Sequence, residues 1–158
     1  MLNRLRTDER GFTLLEVIMT CLLLGILLAI GVGPWQSYRH ARAHIEARTE
    51  LVATLRNAQI SSVAENVTYR VDVTATQAVT YRIASTGPVK TRQYVVEDQT
   101  VSYAGIGFED ASGAVTTSAY FYPRGSASKG DVNVARSGRA KLYTVSLEGL
   151  TARVSFTT

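Results

Sequence analysis

A chain of 158 residues is long enough for one ordinary domain with a helical appendage and too short for two full-sized domains. Its formal net charge of +4 is carried mostly by arginine, lysine occurring only at Lys90, Lys129 and Lys141, and permits a polyanionic partner without requiring one. The single cysteine, Cys21, excludes an intramolecular disulfide and, lying in an apolar run, reads as a small buried side chain.

Residues 1–11 form a short charged leader containing Arg4, Arg6 and Arg10. Phe12 then opens an apolar stretch through Gly33 in which Glu16 is the sole charged side chain. As a helix this stretch runs about 33 Å at about 1.5 Å per residue, close to the thickness of a bilayer's hydrocarbon core, so residues 12–34 are expected to form a transmembrane helix. A secretory signal peptide shares the basic start, but its apolar region is usually shorter and carries no carboxylate near its beginning.

Glu16 is the informative residue, because a carboxylate in hydrocarbon costs several kcal/mol, about 2.5–3.5 on insertion scales for the comparable Asp, unless it is paired. A cut between Gly11 and Phe12 would place a new α-amine on Phe12, one helical turn from Glu16 and of opposite charge. Between neighbouring chains such a pair acts as a register device, since an unpaired Glu16 is penalised until it meets the amine of a subunit already assembled.

The run Gly11-Phe12-Thr13-Leu14-Leu15-Glu16-Val17 resembles the cleavage and methylation motif of type IV prepilins and type II secretion pseudopilins. The resemblance implies that a prepilin peptidase cuts after Gly11 and methylates the amine of Phe12, and that Glu16 and Phe12 form the assembly salt bridge. It also implies a single pass through the bacterial inner membrane with the head outside the cytoplasm. The implied partners are membrane lipid before assembly, the inner-membrane assembly platform and other pilins in a filament.

Gly31, Gly33 and Pro34 close the apolar stretch and are expected to break or loosen the helix, through low helix propensity and a lost hydrogen bond. Residues 35–66 return to helix formers, with Tyr38, Ala41, Ile45, Val52 and Leu55 marking the face expected to pack on a sheet. Arg39, Arg42, Glu46, Glu50 and Arg56 mark a solvated face. His40 and His44 stand four apart on this helix but lack further ligands nearby, so they read as exposed histidines rather than a metal site.

Asn66 is a helix terminator, and residues 67–158 read as a β-rich globular head. Strands are expected at Val67–Val73, Val79–Ile83, Arg92–Val96, Val101–Tyr103, Ser118–Tyr122, Val132–Arg136, Lys141–Leu147 and Thr151–Phe156, the first two joined through Thr74–Gln77. The fold class is α+β, a long N-terminal helix followed by an antiparallel β-rich head. The head resembles the FimT/GspH type of minor pilin or pseudopilin through Arg56-Asn57-Ala58-Gln59, Phe121-Tyr122-Pro123-Arg124-Gly125 and the turn Ser137-Gly138-Arg139.

No Cys–His, Ser–His–Asp or phosphate-loop pattern is present, so neither enzymatic chemistry nor a cofactor or metal is expected. The basic residues Arg124, Lys129, Arg136, Arg139 and Lys141, with Tyr120, Tyr122 and Tyr143 nearby, form a candidate DNA-binding patch that would grip phosphates without sequence preference. DNA uptake by FimT-like pilins, which the resemblance brings in, is the alternative to a purely structural subunit.

Overall fold

The computed structural model describes residues 12–138 and 143–157, with the side chains of residues 31–34, 36 and 37 outside the description. Gly11, Arg139 and Lys141 therefore lie outside the described residues. The chain divides between Tyr38 and Arg39 into two compact units.

Helix α1 (Leu14–Ala64) begins where Thr13 supplies a cap: its Oγ1 accepts a hydrogen bond from the Glu16 N–H at 3.3 Å, and its carbonyl accepts from Val17. The backbone remains helical through Gly31, Gly33 and Pro34, so the expected break is not a gap in this helix. Proline removes one hydrogen bond, and the flanking turns keep theirs. At the far end Asn66 takes the left-handed conformation (φ 54°) and the Val67 N–H closes on the Ser62 carbonyl at 3.2 Å. This is the Schellman closure that asparagine tolerates, and it consumes Val67, which is why the first strand starts two residues later than expected.

Up to Ile30 the apolar side chains of α1 stand exposed, Leu14 at 80% and Leu27 at 68%, and Cys21 is exposed as well rather than buried. Among the described residues no helix is long and apolar enough to cross a membrane.

In the second unit, β1 (Tyr69–Val73), β2 (Gln77–Ala84), β3 (Gly87–Val95) and β6 (Ser118–Phe121) form one antiparallel sheet in the order β3-β2-β1-β6. The second sheet comprises β4 (Val101–Glu109), β5 (Val115–Thr116), β7 (Gly130–Arg136), β8 (Tyr143–Leu147) and β9 (Val154–Thr157), ordered β5-β4-β7-β8-β9. Alternation puts Tyr69, Val71 and Val73 inside and leaves Arg70 and Asp72 partly exposed.

One core is shared by both sheets and α1, with Leu51, Leu55, Val71, Phe108, Phe121, Val132 and Val145 almost fully buried. The buried stripe of the helix is His44, Ala47, Leu51, Leu55, Ala58 and Ser62, turned away from the expected face. Val52 and Leu55 are buried as expected, whereas Tyr38 (62%) and Ile45 (47%) are exposed. The helix presents alanines and small polar residues where the strands approach, positions that carry little weight in an apolar periodicity.

β3 and β4 run longer than expected, and β5 was not expected. Most of β3 is exposed on both faces, so it shows no alternation, and β4 passes through Gly105 and Gly107, where the register with β7 shifts. Gly130 opens β7 against β4 so closely that a Cβ there would lie 2.1 Å from the Gly107 oxygen and 2.7 Å from the Phe108 Cα.

Candidate functional site

Phe12 and Thr13 precede the helix, with Phe12 76% exposed, and Glu16 occupies the third helical position. Thr13-Leu14-Leu15-Glu16 is thus the sequence pattern of a capping box, with the threonine half of the pair formed. The capping role of Thr13 is legible in the sequence as a threonine three residues before a glutamate. Glu16 thus places a carboxylate in the first turn of the helix. The exposed side chains around it, Leu14, Leu15, Val17 and Ile18 among them, ring this end of the helix with apolar surface.

The two histidines of α1 have separate partners, and the reading of both as exposed is corrected for His44. His40 Nδ1 lies 2.7 Å from Asp98 Oδ2, while Asp98 Oδ1 accepts from the Thr100 N–H and hydroxyl. Burial works to raise the Asp98 pKa, but the hydrogen bonds from Thr100 and His40 bring it down to about 2. His44 is buried, with Nε2 2.8 Å from the Val134 carbonyl and its ring tilted against Tyr143 at 4.7 Å. Arg48 stacks over both Tyr143 and Phe156, at 4.8 and 4.4 Å from the ring centres. Among the described residues no group of three or more His, Cys, Asp or Glu side chains could hold a metal ion.

Among the described basic residues of the DNA candidate, Arg124 and Lys129 lie apart from Arg136. Arg124 and Lys129 are exposed on the connection entering β7, whereas Arg136 ends that strand, about 23 Å along at about 3.3 Å per residue. Arg136 is only partly exposed, and its Nε is buried without a hydrogen-bond partner. The end of the sheet that holds Lys129 carries instead Arg153 and, from α1, Arg56, whose Nη2 donates to the Val154 carbonyl at 3.3 Å. Strand pairing brings these together, a relation no sequence spacing displays.

Solved structures similar to this chain include those of a minor pseudopilin and a type IV minor pilin. One is the minor pseudopilin EpsH of the type 2 secretion system of Vibrio cholerae, at TM-score 0.57 and 9% identity, over 72% of this chain and 94% of that one. Another is the type IV minor pilin FimU of Pseudomonas aeruginosa, at TM-score 0.55 and 12% identity, over 78% of this chain and 91% of that one. The fold is therefore the pilin-like α+β fold of minor pilins and pseudopilins. Residues 6–32 match the family model described as the prokaryotic N-terminal methylation motif. No curated protein sequence matches the chain significantly. The chain thus carries a match to a methylation motif at its N-terminal end and a fold shared with a minor pseudopilin and a minor pilin.

Proposed function

We propose that the chain is a minor pilin or minor pseudopilin of the FimT/GspH type, which enters a type II secretion pseudopilus or type IV pilus through its N-terminal helix. The observation that carries this reading is the methylation motif over residues 6–32 on a head of minor-pilin fold. Residues 1–11 are the cytoplasmic leader, cut between Gly11 and Phe12 by the prepilin peptidase. Residues 12–34 anchor the chain in the inner membrane until the assembly platform transfers it to the filament. In the filament Glu16 pairs with a methylated Phe12 amine, and the stretch containing Gly31, Gly33 and Pro34 gives way as helices pack. The role is structural, without catalysis.

Mass spectrometry of the mature protein tests this. The expected N-terminal peptide begins at N-methylated Phe12, and Glu16→Ala should keep the chain in the membrane and out of the filament. A mature protein that retains Met1–Gly11 would refute the proposal.

DNA capture is a second reading, supported by the exposure of Arg124, Lys129 and Arg153. It predicts salt-sensitive retardation of duplex DNA that Arg124→Ala and Lys129→Ala weaken.

A further inference from the structure

The two edges of the β5-β4-β7-β8-β9 sheet differ in charge at one end. Phe108, Gly130, Leu147 and Val154 pair successively across it, so the acidic corner Glu109–Asp110 and the basic corner at Arg153 flank a single row. They sit about 14 Å apart, three strand spacings of about 4.8 Å.

At the β9 edge an open groove of about 630 Å³ lies between the strand and α1. Its lining includes Arg56, Gln59 and Ile60 from the helix, and Arg153, Ser155 and Phe156 from the strand. Both arginines are exposed, as are Ile60 (65%) and Phe156 (47%). Glu148 is the acid nearby, bonded to the Thr151 hydroxyl, and does not balance the two cations.

At the β5 edge Asp110 is held by the Ser112 hydroxyl, the Ser112 N–H and the Ala114 N–H, which lower its pKa. Glu109 is exposed and forms no side-chain ion pair among the described residues, although its N–H donates to the Lys129 carbonyl on the neighbouring strand. Val115, beside them, is 73% exposed. One corner thus offers two carboxylates and an apolar side chain next to the exposed Lys129, and the other offers two guanidinium groups and two apolar side chains, of which Phe156 also lies under Arg48.

We propose that these corners are two halves of one contact, the β4–β5 corner of one copy seating in the α1–β9 groove of a second copy. The proposal rests on the reading of the chain as a filament subunit. Different patches meet, so the contact is head-to-tail and leaves a free groove and a free corner at its ends, the arrangement that extends rather than closes. Arginine beside exposed aromatic and aliphatic side chains is also the composition of an interface centre.

Cross-linking of full-length chains in producing cells tests it, with Cys21→Ser in every version and Ala111→Cys and Thr151→Cys on separate copies. A short bismaleimide should yield an adduct of twice the chain mass when both versions are co-expressed, and none when either is expressed alone. Glu109→Arg in the Ala111→Cys chain should cut the yield about tenfold, and Arg153→Glu in the Thr151→Cys chain should restore it. Adducts from either version alone, or adducts only with a subunit of another mass, would overturn the contact. Absence of the mixed adduct in chains that enter the filament overturns it too and leaves the filament reading standing. The expected adducts in chains that never enter a filament would uphold the contact and refute that reading.

Discussion

His40 Nδ1 and Asp98 Oδ2 meet at 2.7 Å, joining the beginning of the head's helical segment to the connection between β3 and β4. With Thr100 also bonded, Asp98 stays ionised down to about pH 2, against an ordinary value of 3.8. A group whose folded pKa is depressed stabilises the fold above its unfolded value and loses that contribution as pH falls through the folded one. The Asp98 contribution is therefore whole above about pH 4 and lost progressively toward pH 2. Thermal melts across this range should show a decline that Asp98→Asn flattens, with the variant already less stable at neutral pH by about 1–3 kcal/mol.

Gly130 tolerates no side chain. Gly130→Ala must push β7 away from β4 against two backbone contacts, and a loss of about 1–3 kcal/mol or more is expected from the urea midpoint. Gly113→Ala, where a Cβ meets nothing but the backbone is left-handed (φ 81°), should cost less and leave the core intact.

Leu51 and Ile45 distinguish the buried face of α1 from the face that periodicity suggests. Leu51→Ala should cost about 2–5 kcal/mol in chemical unfolding. Ile45→Ala, at a half-exposed position, should change stability by about 0.5 kcal/mol or less. Equal losses at the two positions would contradict the packing described.

Asn66 tests the helix end. Asn66→Gly should leave stability unchanged or raise it slightly, because glycine adopts the left-handed conformation freely. Asn66→Val should lower the melting point, with a cost of about 1–2 kcal/mol for placing a β-branched residue there.

Much of the molecule could be read along the chain, and the parts that could not share a cause. The Gly11–Val17 motif, the Asn66 stop and the alternation of Tyr69, Val71 and Val73 are local patterns, each complete within a few residues. His44 reads as a surface residue until the Val134 carbonyl is known to lie 2.8 Å away. Arg136 falls in the same basic run as Lys129, yet a strand in between carries the two to opposite ends. Only the second half of β3 reads as a strand, because its side chains face solvent on both sides and leave no burial for an alternating pattern to report. The α1–β9 groove depends on residues roughly ninety positions apart and has no sequence signature of its own.

That separation in sequence also orders events in time. His44 is bonded to Val134, Arg56 to Val154 and Gln59 to Thr151, so the helical wall of the head is held by strands near the chain's end. A growing chain therefore makes the helix early and waits for its last strands before the core can close, which makes high contact order the governor of its folding rate. Until β9 arrives, Leu51, Leu55 and their neighbours remain open to water, and it is in this interval that the chain is most exposed to wrong partners.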